Sequence, residues 1–290
     1  MSQENVSVVV PVFNGERTIE RCIESILASV DLPGHFEVVV VDNNSRDSTP
    51  DILKGFGDRI RVFNEPIRGS SAARNTGIRE AKYDQIALTD ADCVVEPEWL
   101  RNLILPLADC SIGLSGGPIL PLADANPVEL FGESIYDHKA AISEWQPPFA
   151  ITANWAMNRK LLQHVGDFDI ALYHGHDVDL SWRMLKWGYC FRYVPDAIVY
   201  HHNRSTRRNL FVQGFMHGHW GVAVLKKHRE FLDSYQVSRI DKGRYLQIFK
   251  DILGLISSEQ RSFRFLSITF NSAKVIGRIA GAIRFRHCVL

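Results

Sequence analysis

Ile86-Ala87-Leu88-Thr89-Asp90-Ala91-Asp92 is the stretch that decides how this chain folds. A short apolar run stops abruptly at two carboxylates. Working back toward the N-terminus, the same pattern recurs. Ser7 to Phe13 is a β-branched run ended by Asn14-Gly15, and Phe36 to Val41 ends at Asp42-Asn43-Asn44-Ser45. Arg59 to Phe63 reads as a shorter third strand. Helical segments lie between them. Ile19, Cys22, Ile23, Ile26, Leu27 and Val30 form one helical stripe, stopped at Pro33-Gly34. Thr49-Pro50 reads as a cap with proline at the first helical position, and Ser70 to Ala81 as a further helix.

Strands that alternate with helices predict an α/β fold, a mostly parallel sheet with helices on both faces. Parallel strands covered on both sides are continuous apolar runs, as these are. Ligands of such sheets bind beyond the carboxyl ends of the strands. The clusters Asn14-Gly15-Glu16, Asp42 to Ser45 and Asp90-Ala91-Asp92 are therefore predicted to line one crevice. The second half is less regular. Gly113 to Ile119 reads as a strand, 121–150 as loops with a helix, Asp177 to Trp187 as a helix, and Phe191 to Val194 and Ile198 to Tyr200 as short strands. From Asn209 onward the pattern is mostly helical.

The 290 residues are 46% hydrophobic and 23% charged, which excludes wholesale disorder and a collagen-like chain. No uncharged apolar window is long enough for a conventional membrane span. The opening MSQENVSVVVPVFN lacks a basic n-region, so a cleaved signal peptide is not expected. Cysteines at 22, 93, 110, 190 and 288 show no C-x-x-C spacing. That predicts a reducing cytosol and buried thiols at Cys22, Cys93 and Cys190. The 33 basic and 33 acidic residues cancel overall but are not evenly spread. Residues 204–290 hold 16 Lys+Arg and 5 Asp+Glu, whereas 1–203 hold 17 and 28. We therefore expect an acidic body over 1–203 and a basic helical extension over 204–290.

Asp90 and Asp92 project to one side if the backbone stays extended there, and two such carboxylates suit Mg²⁺ or Mn²⁺ carrying a diphosphate. A solvated turn is the alternative. Asp42 could accept a hydrogen bond from a nucleotide base or close an Asx turn. In Gly175-His176-Asp177-Val178-Asp179, one aspartate can act as a general base and another can serve the helix start. His174, His176, His201 and His202 match no zinc spacing, but His201 ends a short strand and is a candidate extra ligand beside Asp92.

Taken in order, VSVVVPVFNGERTIERCIESIL, FEVVVVDNNSRDST, GSSAARNTGIREA, DQIALTDADCVVEPEWL, Asn154 through VGDFD to GHDVDLSWRMLKWGY, and DAIVYHH resemble the family-2 glycosyltransferases, over about residues 5–203. The resemblance implies a GT-A, Rossmann-like fold that binds a nucleotide-diphospho-sugar. It implies that Pro11, Phe13, Glu16 and Asp42 line the nucleoside pocket and that Asp90 contacts the nucleotide. Asp92 and His201 are then the metal ligands, with Mn²⁺ or Mg²⁺ as cofactor, and Asp177 is the base of an inverting transfer. The family usually has Glu-Asp where this chain has His176-Asp177. Asp179 matches the family's helix-start aspartate and stays open as the base.

The expected acceptor is a glycan or lipid-linked glycan at the cytoplasmic face of the cell membrane. The turn Asn14-Gly15-Glu16-Arg17 argues against a metal-dependent nucleotidyltransferase, which needs a richer phosphate loop. A non-catalytic nucleotide-sugar-binding homologue is the other alternative. In the tail, apolar residues from Phe263 to Ile283 interleave with Arg261, Arg264, Lys274, Arg278 and Arg284. This pattern fits peripheral association with an anionic membrane or, alternatively, a subdomain packed on the body. Nothing else in the chain points to nucleic acid.

Overall fold

The computed structural model describes residues 5–32, 34–135, 137–238, 241–255 and 260–287. They form two compact units, one of residues up to 120 with 137–201, the other of 121–136 with everything from 202 on. The second unit thus takes in a segment that the sequence reading left in the first domain.

In chain order the elements are β1 (Val6–Val12), α1 (Ile19–Leu27), β2 (Phe36–Asp42), α2 (Thr49–Gly55), β3 (Arg61–Asn64), α3 (Ser70–Glu80), β4 (Gln85–Thr89), β5 (Cys93–Val95), α4 (Trp99–Ile104), β6 (Ile112–Gly116) and β7 (Ile119–Pro121). After α5 (Pro127–Glu133) come α6 (His138–Ser143), β8 (Asn154–Asn158), α7 (Leu162–Val165), α8 (His176–Lys186), β9 (Cys190–Tyr193) and β10 (Val199–His201). The C-terminal helices are α9 (Arg207–Lys227), α10 (Arg229–Ser234), α11 (Lys242–Gly254) and α12 (Arg261–Phe285).

The first unit is built on a seven-stranded sheet in the order β3-β2-β1-β4-β8-β6-β9. β1 pairs in parallel with both β2 and β4, so the order reverses at β1 and opens a crevice at the strand ends. Val8, Val9 and Val10 are all fully buried, and consecutive strand residues face opposite sides, so both faces of β1 are covered. This explains why the strand is a continuous apolar run rather than an alternating one. On one face Val9, Val41 and Leu88 pack with Ala73 and Ile78 of α3. Beyond β4 the parallel pattern breaks, because β8 runs antiparallel to both β4 and β6. A separate three-stranded sheet has the order β5-β10-β7.

Cys22 and Cys93 are buried free thiols, but Cys190, expected inside, is exposed on β9. Cys288 lies outside the described residues.

In the second unit α9 and α12 lie side by side in parallel. Gly218 abuts the Lys274 carbonyl and Gly277 the Phe215 carbonyl, so closely that a Cβ on either would fall 2.0 Å from that oxygen. Leu210, Leu266 and Phe270 join Phe131 of α5 in a small apolar core. Part of the apolar content of α12 is therefore spent on packing within this unit. No described helix is long and apolar enough to cross a membrane.

Candidate functional site

The loops after β1 and β2 are stitched together. The backbone N–H of Asn14 donates to Ser45 Oγ at 2.8 Å, that of Gly15 to Thr49 Oγ1 at 2.8 Å, and that of Glu16 to Asp47 Oδ2 at 3.1 Å. In return Asn14 Oδ1 accepts from Arg46 N, and Glu16 Oε2 from Ser48 N. Asp42, at the end of β2, accepts Ser45 N at 3.1 Å through Oδ1, a local side-chain bond one residue longer than that of an Asx turn. Pro11 is buried within β1 and stands in register with Val41. Phe13 is 43% exposed, with the Arg68 guanidinium over its ring at 5.0 Å. The side chain of Asn43 fixes the next loop, donating to the carbonyls of Glu65 and Ile67 and accepting Gly69 N.

Asp90-Ala91-Asp92 is a turn, closed by Cys93 N donating to the Asp90 carbonyl at 3.0 Å, rather than an extended segment. The two carboxylates accordingly have different partners. Asp90 Oδ1 accepts Arg74 Nη2 at 2.6 Å. Asp92 Oδ1 lies 3.4 Å from His201 Nε2. The antiparallel pairing of β5 with β10 creates this second contact, since His201 stands opposite Cys93, the residue after Asp92. Asp92 keeps about a third of its side chain in solvent (31%), which leaves room for a ligand's own oxygens.

A carboxylate oxygen and an imidazole nitrogen at this separation form a donor pair that suits Mn²⁺, and Mg²⁺ less well because of the nitrogen. Cys93 Sγ belongs to the same cluster, with all three ligand atoms within 4.8 Å of one another. Burial, and then the charges of Asp92 and Asp90, push its thiol well above the ordinary range.

Arg74 was not foreseen from the sequence as a site residue. It sits on the buried face of α3, only 3% exposed, and bridges Asp90 to His176, whose Nε2 lies 2.7 Å from Arg74 Nη1. A buried cation requires an anionic or lone-pair partner, and its place among Ala72, Ala73 and Ile78 was the available signal. Asn75, the next residue, exchanges two hydrogen bonds with the backbone of Phe168 and so fixes the segment before α8.

Burial, with the Arg74 charge beside it, holds His176 well below the usual imidazole range and therefore neutral. Asp177 lies in the first turn of α8. Burial raises its carboxyl above the usual range, the nearby Asp90 charge adds to this, and Val178 N–H and Arg74 oppose it. Asp179 is fully enclosed, with Oδ2 accepting Arg183 Nε at 3.0 Å and Nη2 at 2.9 Å. Arg183 also donates to the carbonyls of Val165, Gly166 and Asp167. The Asp179–Arg183 pair thus clamps the turn before α8.

The profile for "Glycosyl transferase family 2" matches residues 7–166. A glycosyltransferase named AglE from Haloferax volcanii is 29% identical over 203 residues, covering 68% of this chain and 66% of that one. A pre-mycofactocin glycosyltransferase from Mycobacterium tuberculosis is 27% identical over 237 residues, covering 78% of this chain and 49% of its own length. The chain thus spans about half to two thirds of the length of these relatives. Among solved structures, a mannosyltransferase from Pyrobaculum calidifontis in complex with GDP-Man and Mn²⁺ superposes with a TM-score of 0.68 at 19% identity, covering 95% of this chain and 86% of that one. Glucosyl-3-phosphoglycerate synthase from M. tuberculosis, in complex with Mn²⁺, UDP and glucosyl-3-phosphoglycerate, gives 0.56 at 22% identity, covering 77% and 79%. These likenesses assign the GT-A fold, and with the profile spanning more than half of its length, the chain belongs to glycosyl transferase family 2.

Proposed function

We propose that this protein is an inverting, metal-dependent glycosyltransferase. It would move a sugar from a nucleotide-diphospho-sugar to an acceptor hydroxyl of a glycan or lipid-linked glycan. The observation that carries the reading is the 3.4 Å approach of Asp92 to His201, beside the turn whose other carboxylate is linked through Arg74 to the start of α8.

In this reading Phe13 offers an exposed aromatic face to the base, and Asp42 keeps Oδ2 available for a base N–H, with Pro11 and Glu16 shaping the same pocket. Asp90, held by Arg74, orients toward the nucleotide. Asp92 and His201 would hold Mn²⁺ or Mg²⁺, which supplies positive charge against the departing diphosphate. Asp177 accepts the proton of the acceptor hydroxyl as the oxygen bonds to the anomeric carbon. The bond from that carbon to the diphosphate oxygen breaks on the opposite face, and the configuration inverts. A positioned base contributes about 10²- to 10⁴-fold. The raised carboxyl of Asp177 supports its role as base, and the enclosure of Asp179 supports a structural role for that residue.

The basic second unit supports a working place at the anionic cytoplasmic face of a membrane, where a lipid-linked acceptor is concentrated. A panel of nucleoside diphosphates and nucleotide sugars, with and without Mn²⁺, tests the reading by thermal shift, followed by release of nucleoside diphosphate in the presence of acceptors. A ligand that binds only the native state raises Tm. If no member of the panel shifts Tm in Mn²⁺, the proposal fails.

A further inference from the structure

Helix α11 has its polarity reversed. On a helix at a water-exposed surface the apolar stripe turns inward and the charged residues face out. Here Tyr245, Leu246, Phe249, Ile252 and Leu253 are the outward residues, between 42% and 58% exposed. Their spacing gathers them on one side of the helix.

On the opposite side of α11, Arg244 and Asp251 turn inward and are paired. Asp251 is buried and accepts from Ser267 Oγ at 2.6 Å and from Gln247 Nε2 at 3.1 Å, with Arg264 beside it at 3.4 Å. Arg244 donates to Asn271 Oδ1 at 2.6 Å and to Asp241 Oδ2 at 2.9 Å, and Asp241 also receives Arg278 at 3.1 Å. Lys274 lies in the same seam, its ammonium pulled down to about 7, chiefly by burial and then by Arg244 and Arg278. Arg278, one of the charges interleaved with the apolar residues of α12, is therefore directed at Asp241 at the start of α11, with Lys274 in the same seam.

With Asp241 and Asp251 held in this seam, the exposed charged residues of α11 are Lys242 and Lys250. Lys242 falls within the angular span of the apolar face and Lys250 at its edge, with no exposed acid on this helix. An apolar and aromatic face with cations at its border is complementary to a surface of acyl chains beneath anionic headgroups. A water-soluble acidic protein would match the lysines but would leave five large apolar side chains without an apolar counterpart.

We infer that α11 is the element that enters the interface of an anionic bilayer, inserting Tyr245, Leu246, Phe249, Ile252 and Leu253 while Lys242 and Lys250 meet lipid phosphate. This rests on the membrane-surface reading above and moves the contact from α12 to α11. Ile276, Ile279 and Ile283 of α12 are also exposed and serve as the comparison.

The test is co-sedimentation of the full chain with phosphatidylcholine vesicles, with and without phosphatidylglycerol. The partners are Leu246→Glu/Phe249→Glu on α11 and Ile279→Glu/Ile283→Glu on α12. Circular dichroism and thermal unfolding check that each variant is folded, and light scattering reports the oligomeric state. The expected result is binding of the parent to phosphatidylglycerol vesicles, weakened about tenfold or more by the α11 pair and much less by the α12 pair. Lys242→Gln/Lys250→Gln should flatten the salt dependence of binding. If the parent does not bind, the membrane reading itself fails. If the parent binds and the α11 pair binds equally well, only the assignment to α11 fails. If the parent is a dimer that the α11 pair dissociates, the face belongs to a second copy and the inference is overturned.

Discussion

Arg74 Nη1 and His176 Nε2 approach to 2.7 Å in the buried heart of the site. A guanidinium can only donate, so Nε2 must be the accepting nitrogen and Nδ1 must carry the ring proton. Nδ1 has no hydrogen-bond partner among the described residues. The imidazole thus supplies a lone pair where the usual glutamate of the family would supply a second full charge. Arg74 keeps one carboxylate partner, Asp90, and its remaining positive field falls on Asp177 next door.

His176→Glu should therefore move the acid limb of kcat/KM to higher pH. A new negative charge beside Asp177 and a more fully neutralised Arg74 both favour its protonated form. Arg74→Met should shift the limb the same way and also lower stability by about 1–3 kcal/mol. That is less than for a fully enclosed pair, because Asp90 retains contact with water. A pH–rate profile and urea unfolding of the two variants check this. A limb that moves downward in His176→Glu contradicts the charge argument.

Asp177→Asn should reduce kcat by about 10²- to 10⁴-fold while leaving donor binding close to that of the parent, since a base acts on the acceptor proton in the transition state. In the parent the base must be ionised to act. Activity should fall as pH drops through its raised pKa, at a pH above that of an ordinary aspartate. Steady-state kinetics with varied donor separates the two effects. An unchanged kcat removes Asp177 from the role.

Asp179→Asn should act on the fold. Leaving Arg183 without its fully buried partner should cost about 3–5 kcal/mol of unfolding free energy. Well below the lowered Tm, kcat should stay within a few-fold of the parent. Chemical denaturation and kinetics at low temperature read the two quantities independently. A stable but inactive Asp179→Asn would transfer the base role to Asp179.

Asp92→Asn should keep the fold yet weaken nucleoside diphosphate binding in Mn²⁺ by about tenfold or more, some 1.4 kcal/mol. His201→Ala should have a smaller effect in the same direction. Binding in the absence of metal should be nearly the same in all three proteins. Calorimetry with and without Mn²⁺ makes the comparison. Equal affinities in Mn²⁺ would remove the metal assignment.

β1, β2 and β4 were legible because burial on both faces writes itself directly into Val8-Val9-Val10 and its counterparts, whereas the edge strand β3 alternates between half-buried and exposed residues. The antiparallel β8 was not, since Asn154 to Asn158 carries no mark of direction and its pairing with β4 is a tertiary outcome. Asp90 and Asp92 stood out as a pair, but their divergence did not. It depends on a one-turn backbone bend and on partners at 74 and 201. Asp179 stands four residues before Arg183, a helical spacing that already favours their pairing over Asp177, but the carbonyls at 165–167 that complete the clamp are remote in sequence. On α12 the interleaved charges gave no hint of which neighbour they would face, and the reversed polarity of α11 became visible only once its inward partners were in place.

The pairing of β5 with β10 has a consequence for how the molecule matures. Asp92 and His201 are more than a hundred positions apart in the chain, so the proposed ion site is incomplete until the whole stretch between them has been synthesised and folded. An ion held there is a reversible crosslink that closes this long loop, and it can form only in the finished first unit. Metal uptake would then report completion of folding, and chelation would withdraw stabilisation worth about 2.7 kcal/mol at a free ion concentration of about 100 times Kd.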